Sequence, residues 1–422
     1  MDKPSEEAAL RDLVRRTVET TPVLDIHTHL YPPRFGPLMA WGIDEMLTYH
    51  YLVAELFRVA ALPYDRFWAM SRREQADCVW KHLFLDRSPI SEACRGVLTV
   101  LHALGLDVRR RDLSAVRSYF ASVSAEDYTN TVFRLANVRA VIMTNDPFDD
   151  AERPAWLAGA ETDARFLSAL RIDVLLNQWE RAAPRLREWG YDVRGDLNAS
   201  DCRAVGRFLE DWIGRIAPRY MAVSLPPEFA FPEEGARGRL MEQCVLPAAQ
   251  RAGIPLAMMI GVRRRVNPAL RLAGDGVGRA STEPIERLCT SFPENRFLVT
   301  MLSRENQHEL CVAARKLPNL LVFGCWWFLN NPSFIEEMTR ARLEMLGLSF
   351  IPQHSDARVM DQLIYKWAHS RAVIAEVLAD KYVDLLRAGW VPAESEIRRD
   401  IADLFGGLFE RFCGRLQTGV EA

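Results

Sequence analysis

The stretch Val23-Leu24-Asp25-Ile26-His27-Thr28-His29 lies near the start of a chain of 422 residues, and its reading decides the fold. Its apolar opening reads as a core strand. Side chains alternate between the two faces of a strand, so Leu24 and Ile26 share one face and Asp25, His27 and His29 the other. Two imidazoles side by side at a strand's end form a ligand pair for one divalent metal, because neutral imidazole is a common ligand for zinc and its neighbours. A polar face at a position that otherwise reads as core favours that role over a pair of solvated histidines.

Outward from this strand, short apolar runs recur at Arg139–Thr144, Arg171–Leu176, Tyr220–Leu225, Ile254–Gly261, Arg296–Leu302, Asn319–Gly324 and Leu348–Asp356. Amphipathic stretches of helical period separate most of them, such as Met241–Ala252, Pro284–Phe292 and Pro332–Leu346. Near-continuous apolar strands alternating with helices predict a closed parallel barrel of the α/β class, because strands covered on both faces lose the alternation of apolar and polar residues. A doubly wound open sheet would ordinarily carry a glycine-rich first turn, and His27-Thr28-His29-Leu30 is not one.

One gap breaks the rhythm. The chain between strands one and two is far too long for one crossover helix and contains helical stretches at Asp44–Ala60, Ser71–Leu85, Ile90–Leu104 and Ser114–Ser122. The expected organisation is therefore a leading helix and strand one (1–34), a helical insertion or lid (35–135), and the rest of the barrel with C-terminal helices (136–422). An insertion after strand one sits at the end of the barrel where active sites are built.

Composition bounds the function. Apolar residues make up 49% and charged residues 26%, as in ordinary globular proteins. The net charge of −3, with only short basic runs, argues against nucleic acid as a partner. Eight cysteines without a CxxC pair argue for reduced thiols and against a thiolate metal site. A charged N-terminus and the lack of a long apolar run predict no signal peptide and no membrane span. A cytoplasmic homo-oligomer acting on a small molecule is the expectation.

Catalytic residues of such barrels lie where strands end at the C-terminal face. Strand eight ends in Gln353-His354-Ser355-Asp356-Ala357-Arg358 and adjoins strand one in a closed barrel, so Asp356 can meet His27 and His29 around one ion. Two imidazoles and a carboxylate suit Zn²⁺, Mn²⁺ or Fe²⁺. The competing role for Asp356 is a cap on the following helix. Strands two to five contribute no histidine, so one metal is the simpler reading. Arg358 stands two residues beyond Asp356, where a guanidinium fork suits a substrate carboxylate. Arg171 and Asp173 on the third strand need a partner or a ligand. His50-Tyr51 and Trp326-Trp327-Phe328 admit either core packing or a sugar-binding wall.

Taken together, Asp25-Ile26-His27-Thr28-His29-Leu30, His50-Tyr51, Thr144-Asn145-Asp146-Pro147, Arg171-Ile172-Asp173, Phe323-Gly324-Cys325-Trp326-Trp327-Phe328 and Ser355-Asp356-Ala357-Arg358 resemble, in order, the motifs of the uronate (glucuronate/galacturonate) isomerases of the amidohydrolase superfamily. The resemblance implies a distorted (β/α)8 barrel with a helical insertion after strand one. It implies one divalent metal, zinc first, on His27, His29 and Asp356. It implies a substrate site shaped by His50, Arg171, Arg358, Trp326 and Trp327, with Tyr51 near the proton being moved. The reaction implied interconverts an aldose and a ketose uronate by proton transfer between C2 and C1, with Tyr51 or Asp356 as base.

The chain departs from the family pattern at Met259, which stands where the family usually carries a histidine, and a thioether cannot shuttle protons. Conversely His354 stands where the family tends to be apolar, and it is expected to reach the site and replace part of that imidazole. Two other readings stay open: a mononuclear metal-dependent hydrolase or decarboxylase on the same barrel, and a sugar-acid binding protein without turnover.

Overall fold

A computed structural model of the chain describes residues 3–159 and 163–414. Eight parallel strands follow one another around the sheet: β1 (Val23–Thr28), β2 (Val138–Asn145), β3 (Phe166–Arg171), β4 (Met221–Leu225), β5 (Leu256–Ile260), β6 (Phe297–Met301), β7 (Leu320–Phe323) and β8 (Phe350–Ile351). Alternate residues divide between two cores. Leu24, Ile142, Ala222, Ala257, Leu298, Phe323 and Ile351 pack inside the barrel, while Val141, Leu170, Val223, Met258, Val299 and Val322 pack outward against the helices. Both faces are buried, which is why the strands read as unbroken apolar runs. The expected distorted (β/α)8 barrel is the observed fold.

The distortion lies at the seam between β8 and β1. Pro352 has no N–H to continue a ladder, and β8 is only two residues long. Beyond it, Asp356 N donates to His27 O at 3.1 Å and His29 N donates to Ala357 O at 2.7 Å, so main-chain bonds close the ring at its C-terminal end. Lower down, the Asp25 carboxylate substitutes for a strand: it accepts from Ser355 N at 3.1 Å and from the Trp367 indole at 2.8 Å. Burial pushes its pKa up to about 6 even though these hydrogen bonds oppose the shift. Asp25→Ala leaves two buried N–H groups without acceptors, each costing about 1–3 kcal/mol. Urea unfolding is expected to show a loss of about 2–6 kcal/mol, and an unchanged midpoint would refute the seam role.

Two strands differ from the sequence reading. The third strand is Phe166–Arg171, and residues Asp173–Asn177 are helical. The run from Phe166 to Leu176 is apolar on both sides of Arg171 and Asp173, so periodicity alone did not separate strand from helix. Arg171 thereby stands at the strand's C-terminal end, at the mouth of the barrel. The simple alternation read for β1 also fails, because its register shifts between Asp25 and Thr28. Such an irregularity re-aims side chains: Asp25 turns to the seam, while Ile26 and His27 both reach the interior.

Helix α1 (Lys3–Thr20) leads, with Leu10, Val14 and Val18 buried, and a run of helices including α2 (His50–Val59) fills the chain between β1 and β2. Helix α3 (Gln362–Arg387) follows the seam. After β5 the chain makes an excursion unforeseen in the sequence. A two-stranded ribbon, Val262–Arg263 with Gly276–Val277, carries a 3-10 turn over the insertion. The Trp68 indole donates to Ala269 O at 2.9 Å there, and Arg271 stacks on the same ring at 4.3 Å. Among the described residues no helix is long and apolar enough to cross a membrane, and the eight cysteines form no disulfide.

Candidate active site

At the barrel mouth the β1 irregularity and the closing seam bring His27, His29 and Asp356 together. One ligand atom from each lies within 4.8 Å of the others. The Asp356 Oδ1 is 3.7 Å from His27 Nε2 and 3.3 Å from His29 Nε2. Neither His27 Nε2 nor Asp356 Oδ1 has a hydrogen-bond partner, and both atoms are buried. Asp356 holds its place with a left-handed backbone, φ 51°, a conformation that aspartate tolerates better than most residues. It caps no helix, since α3 begins six residues later at Gln362.

The electrostatics match ligand duty. Burial pushes the pKa of His27 and of His29 down to about 3, helped by the neighbouring His29 and Arg358 charges respectively, so both rings are neutral at pH 7. Burial alone would raise the Asp356 carboxyl. The close approach of His29, then the nearby His27 and Arg358, overcomes it and holds the carboxyl below the usual carboxylate range. Neutral imidazoles and an ionised carboxylate are the forms that bind cations. Buried acceptors converging on one point without a donor repel each other unless something positive stands between them, so the donor set fits a divalent cation.

Around this point the remaining sequence-derived residues sort differently. Arg358 reaches His29 Nε2 at 3.2 Å through one guanidinium nitrogen, and among the described residues it makes no ion pair with a carboxylate. Arg171 instead forms a bidentate pair with Asp173, at 3.0 Å and 3.1 Å, so the internal salt bridge competing with substrate is realised there. His50 and Tyr51 open α2, their rings 4.6 Å apart, and His50 Nε2, Tyr51 Oη and Tyr49 Oη are buried without partners. Trp327 approaches His50 at 5.5 Å, and its indole N–H is also unpartnered. Trp326 lies 6.1 Å from Trp327 and packs into the interior core. A cavity of about 270 Å³ lined by Tyr49, His50, Arg358, Trp68 and Arg271 opens beside the cluster, between α2 and the excursion after β5.

His354 is fully buried, its ring 5.1 Å from that of His27 and 5.4 Å from Phe323. Both its nitrogens lack partners. Gly324 makes room for it: a Cβ there would meet His354 Cδ2 at 1.9 Å. Met259 lines the barrel interior beside Thr300, whose hydroxyl is buried and unpartnered.

The sequence reading passed over several residues of the site. Lys366 of α3 is buried and donates to Ser355 O at 2.6 Å, with its ammonium 5.7 Å from the Tyr51 ring. Burial pushes its pKa down to about 8. A lysine inside the apolar stretch Leu363–Trp367 was the available signal. Tyr220, which contacts the His27 ring, carried none, and Thr144, which contacts the His29 ring, opened a segment of the family resemblance without a role assigned to it.

Neither a protein-family model nor a curated protein sequence matches the chain. Solved structures do. A uronate isomerase from Bacillus halodurans C-125 is 59% identical, with 97% of each chain covered and a TM-score of 0.96. A uronate isomerase from Thermotoga maritima is 16% identical over 95% of this chain and 97% of its own, with a TM-score of 0.76. A glucuronate isomerase from Caulobacter crescentus is also 16% identical, over 98% of this chain and 96% of its own, with a TM-score of 0.68. The two distant structures share the fold; the near one shares the sequence along almost the whole length, and with it this chain belongs to the uronate isomerase family.

Proposed function

We propose that the protein is a metal-dependent aldose–ketose isomerase of hexuronates, of the D-glucuronate to D-fructuronate type, moving a proton between C2 and C1. The observation that carries this reading is the trio His27 Nε2, His29 Nε2 and Asp356 Oδ1, gathered within 4.8 Å of one another with His27 Nε2 and Asp356 Oδ1 buried and unpartnered, in a chain of this family. Zn²⁺ is the first choice of ion, with Mn²⁺ and Fe²⁺ compatible with the same donors. A divalent cation there supplies positive charge against the oxygen that gains electron density as the enediol forms.

The protein groups divide the remaining work. Asp356 is held ionised and Tyr51 is held protonated, because burial raises the phenol well above its ordinary value and the nearby Tyr49 and Asp356 add to the shift. Opposed shifts of this kind assign roles: the carboxylate takes the proton and the phenol donates to a substrate oxygen. Arg358 grips the C6 carboxylate. His50 and Trp327 offer their unpartnered nitrogens to sugar hydroxyls, Arg171 and Trp326 frame the pocket, and the deep His354 supplies part of the proton-handling capacity that Met259 lacks.

Proton NMR of the Zn²⁺-loaded protein in D₂O with D-glucuronate, and separately with D-galacturonate, tests this reading. The expected result is growth of the ketose with deuterium entering beside the carbonyl. No exchange and no ketose with either sugar would overturn it.

A further inference from the structure

The second nitrogen of each ligand histidine is held by the same local arrangement, built from unrelated parts of the chain. The Tyr220 hydroxyl donates to Ile26 O at 2.7 Å and lies 3.1 Å from His27 Nδ1. The Thr144 hydroxyl donates to Thr28 O at 3.0 Å and lies 2.6 Å from His29 Nδ1. In both cases a buried hydroxyl bridges the ring nitrogen of a histidine and the carbonyl of the residue just before it. Tyr220 precedes β4 and Thr144 sits on β2, so the recurrence does not follow from one stretch of sequence.

A hydroxyl has one proton. If Tyr220 gave it to His27, its oxygen would face Ile26 O with lone pairs opposed, at 2.7 Å too close for anything to stand between them. Given to the carbonyl, the proton leaves the hydroxyl oxygen free to accept, and the only donor left for it is an N–H at Nδ1. A neutral imidazole has a single N–H, so Nε2 is then a bare lone pair. The same logic holds at Thr144. At His29 a second contact agrees independently: Arg358 stands 3.2 Å from Nε2, and a guanidinium can only donate, so that nitrogen is an acceptor.

We infer that Tyr220 and Thr144 are positioning residues that lock His27 and His29 in the Nδ1–H tautomer and so present both Nε2 lone pairs to the cation. The inference rests on the metal site proposed above. Each hydroxyl fixes the ring's rotation as well as its proton, and anchoring that proton to the β1 backbone ties both ligands to the strand itself. Partners of this kind typically change metal affinity by about 10- to 100-fold.

The test compares the wild type with Thr144→Val, which keeps the side chain's shape, with Thr144→Ser, which restores the hydroxyl, and with Tyr220→Phe. Zn²⁺ affinity is measured by chelator competition, and histidine tautomers by ¹⁵N NMR of the metal-free proteins at pH 7.5. The expected result is Nδ1–H at both histidines of the wild type, weakening of Zn²⁺ binding by about 10- to 100-fold in Thr144→Val and Tyr220→Phe, and recovery in Thr144→Ser. The tautomer signal of the altered histidine alone is expected to shift in each variant, which loss of packing would not produce. Nε2–H at either wild-type histidine, or wild-type affinity in Thr144→Val, would overturn the inference. If Tyr220→Phe does not fold, the Thr144 pair still decides. Wild type that binds no Zn²⁺ at all would instead defeat the metal site, a separate outcome visible in the same titration.

Discussion

Asp356→Asn is expected to purify without stoichiometric metal and to lose at least about a thousandfold in isomerase rate, since removing a general base alone typically costs about 10²–10⁴. Asparagine is the informative replacement because it keeps the size and the tolerance for the left-handed backbone at φ 51° while removing the negative charge. The loss therefore reports on charge at one oxygen and not on collapse of the loop. His27→Ala is expected to strip the ion as well, because only two members remain of the three-residue cluster found among the described residues. Metal analysis of the purified variants beside their far-ultraviolet circular dichroism checks this. Full metal content in both variants would refute the ligand assignment.

Arg358→Met is expected to raise KM for a hexuronate by about 10- to 200-fold while the metal content stays intact. That range converts from about 1.5–3 kcal/mol for a hydrogen bond to a charged group. Methionine fills much of the same volume, so the change isolates the guanidinium. Arg358 differs from Arg171 in the respect that matters here. Arg171 is already paired twice to Asp173, whereas Arg358 faces the ligand cluster with no carboxylate of its own. A substrate carboxylate thus adds a missing partner at one arginine and competes with an existing one at the other. Arg358→Lys is expected to recover part of the loss, because it restores charge but not the two-pronged geometry. Steady-state kinetics of the three proteins decides, and an unchanged KM in Arg358→Met would refute the anion-gripping role.

Much of this site was legible in the chain because its chemistry is concentrated at strand ends. His27, His29, Asp356 and Arg358 are polar residues at the ends of apolar runs, and the eight-strand rhythm placed the first and last runs side by side. What escaped has physical causes. The β1 irregularity is a backbone event, and no residue type announces it, so alternation put Asp25 with the histidines when it faces the seam. The third strand slid because apolar residues flank Arg171 and Asp173 on both sides, and short apolar runs look the same as strand or helix. Tyr220 and Thr144 act through a bond to a carbonyl one residue from each histidine, and a tyrosine or threonine on a buried strand is ordinary β-forming material. Their role exists only in three dimensions. Lys366 was the exception, an ionisable group in the apolar stretch Leu363–Trp367 that sequence reading alone had reason to flag.

The seam between β1 and β8 has one more consequence. Two of the three proposed ligands are made among the first thirty residues and the third only at residue 356, so during synthesis the histidine pair emerges long before its carboxylate. Until the ring shuts, the nascent chain presents two imidazoles on a flexible segment, a poor and indiscriminate trap for metal. The full donor set comes into being at the moment the last strand meets the first. On the proposed ligand set, ion selection therefore falls to the finished barrel, whose geometry filters what intrinsic affinity would not, and a polypeptide released short of its eighth strand offers only the weak histidine pair.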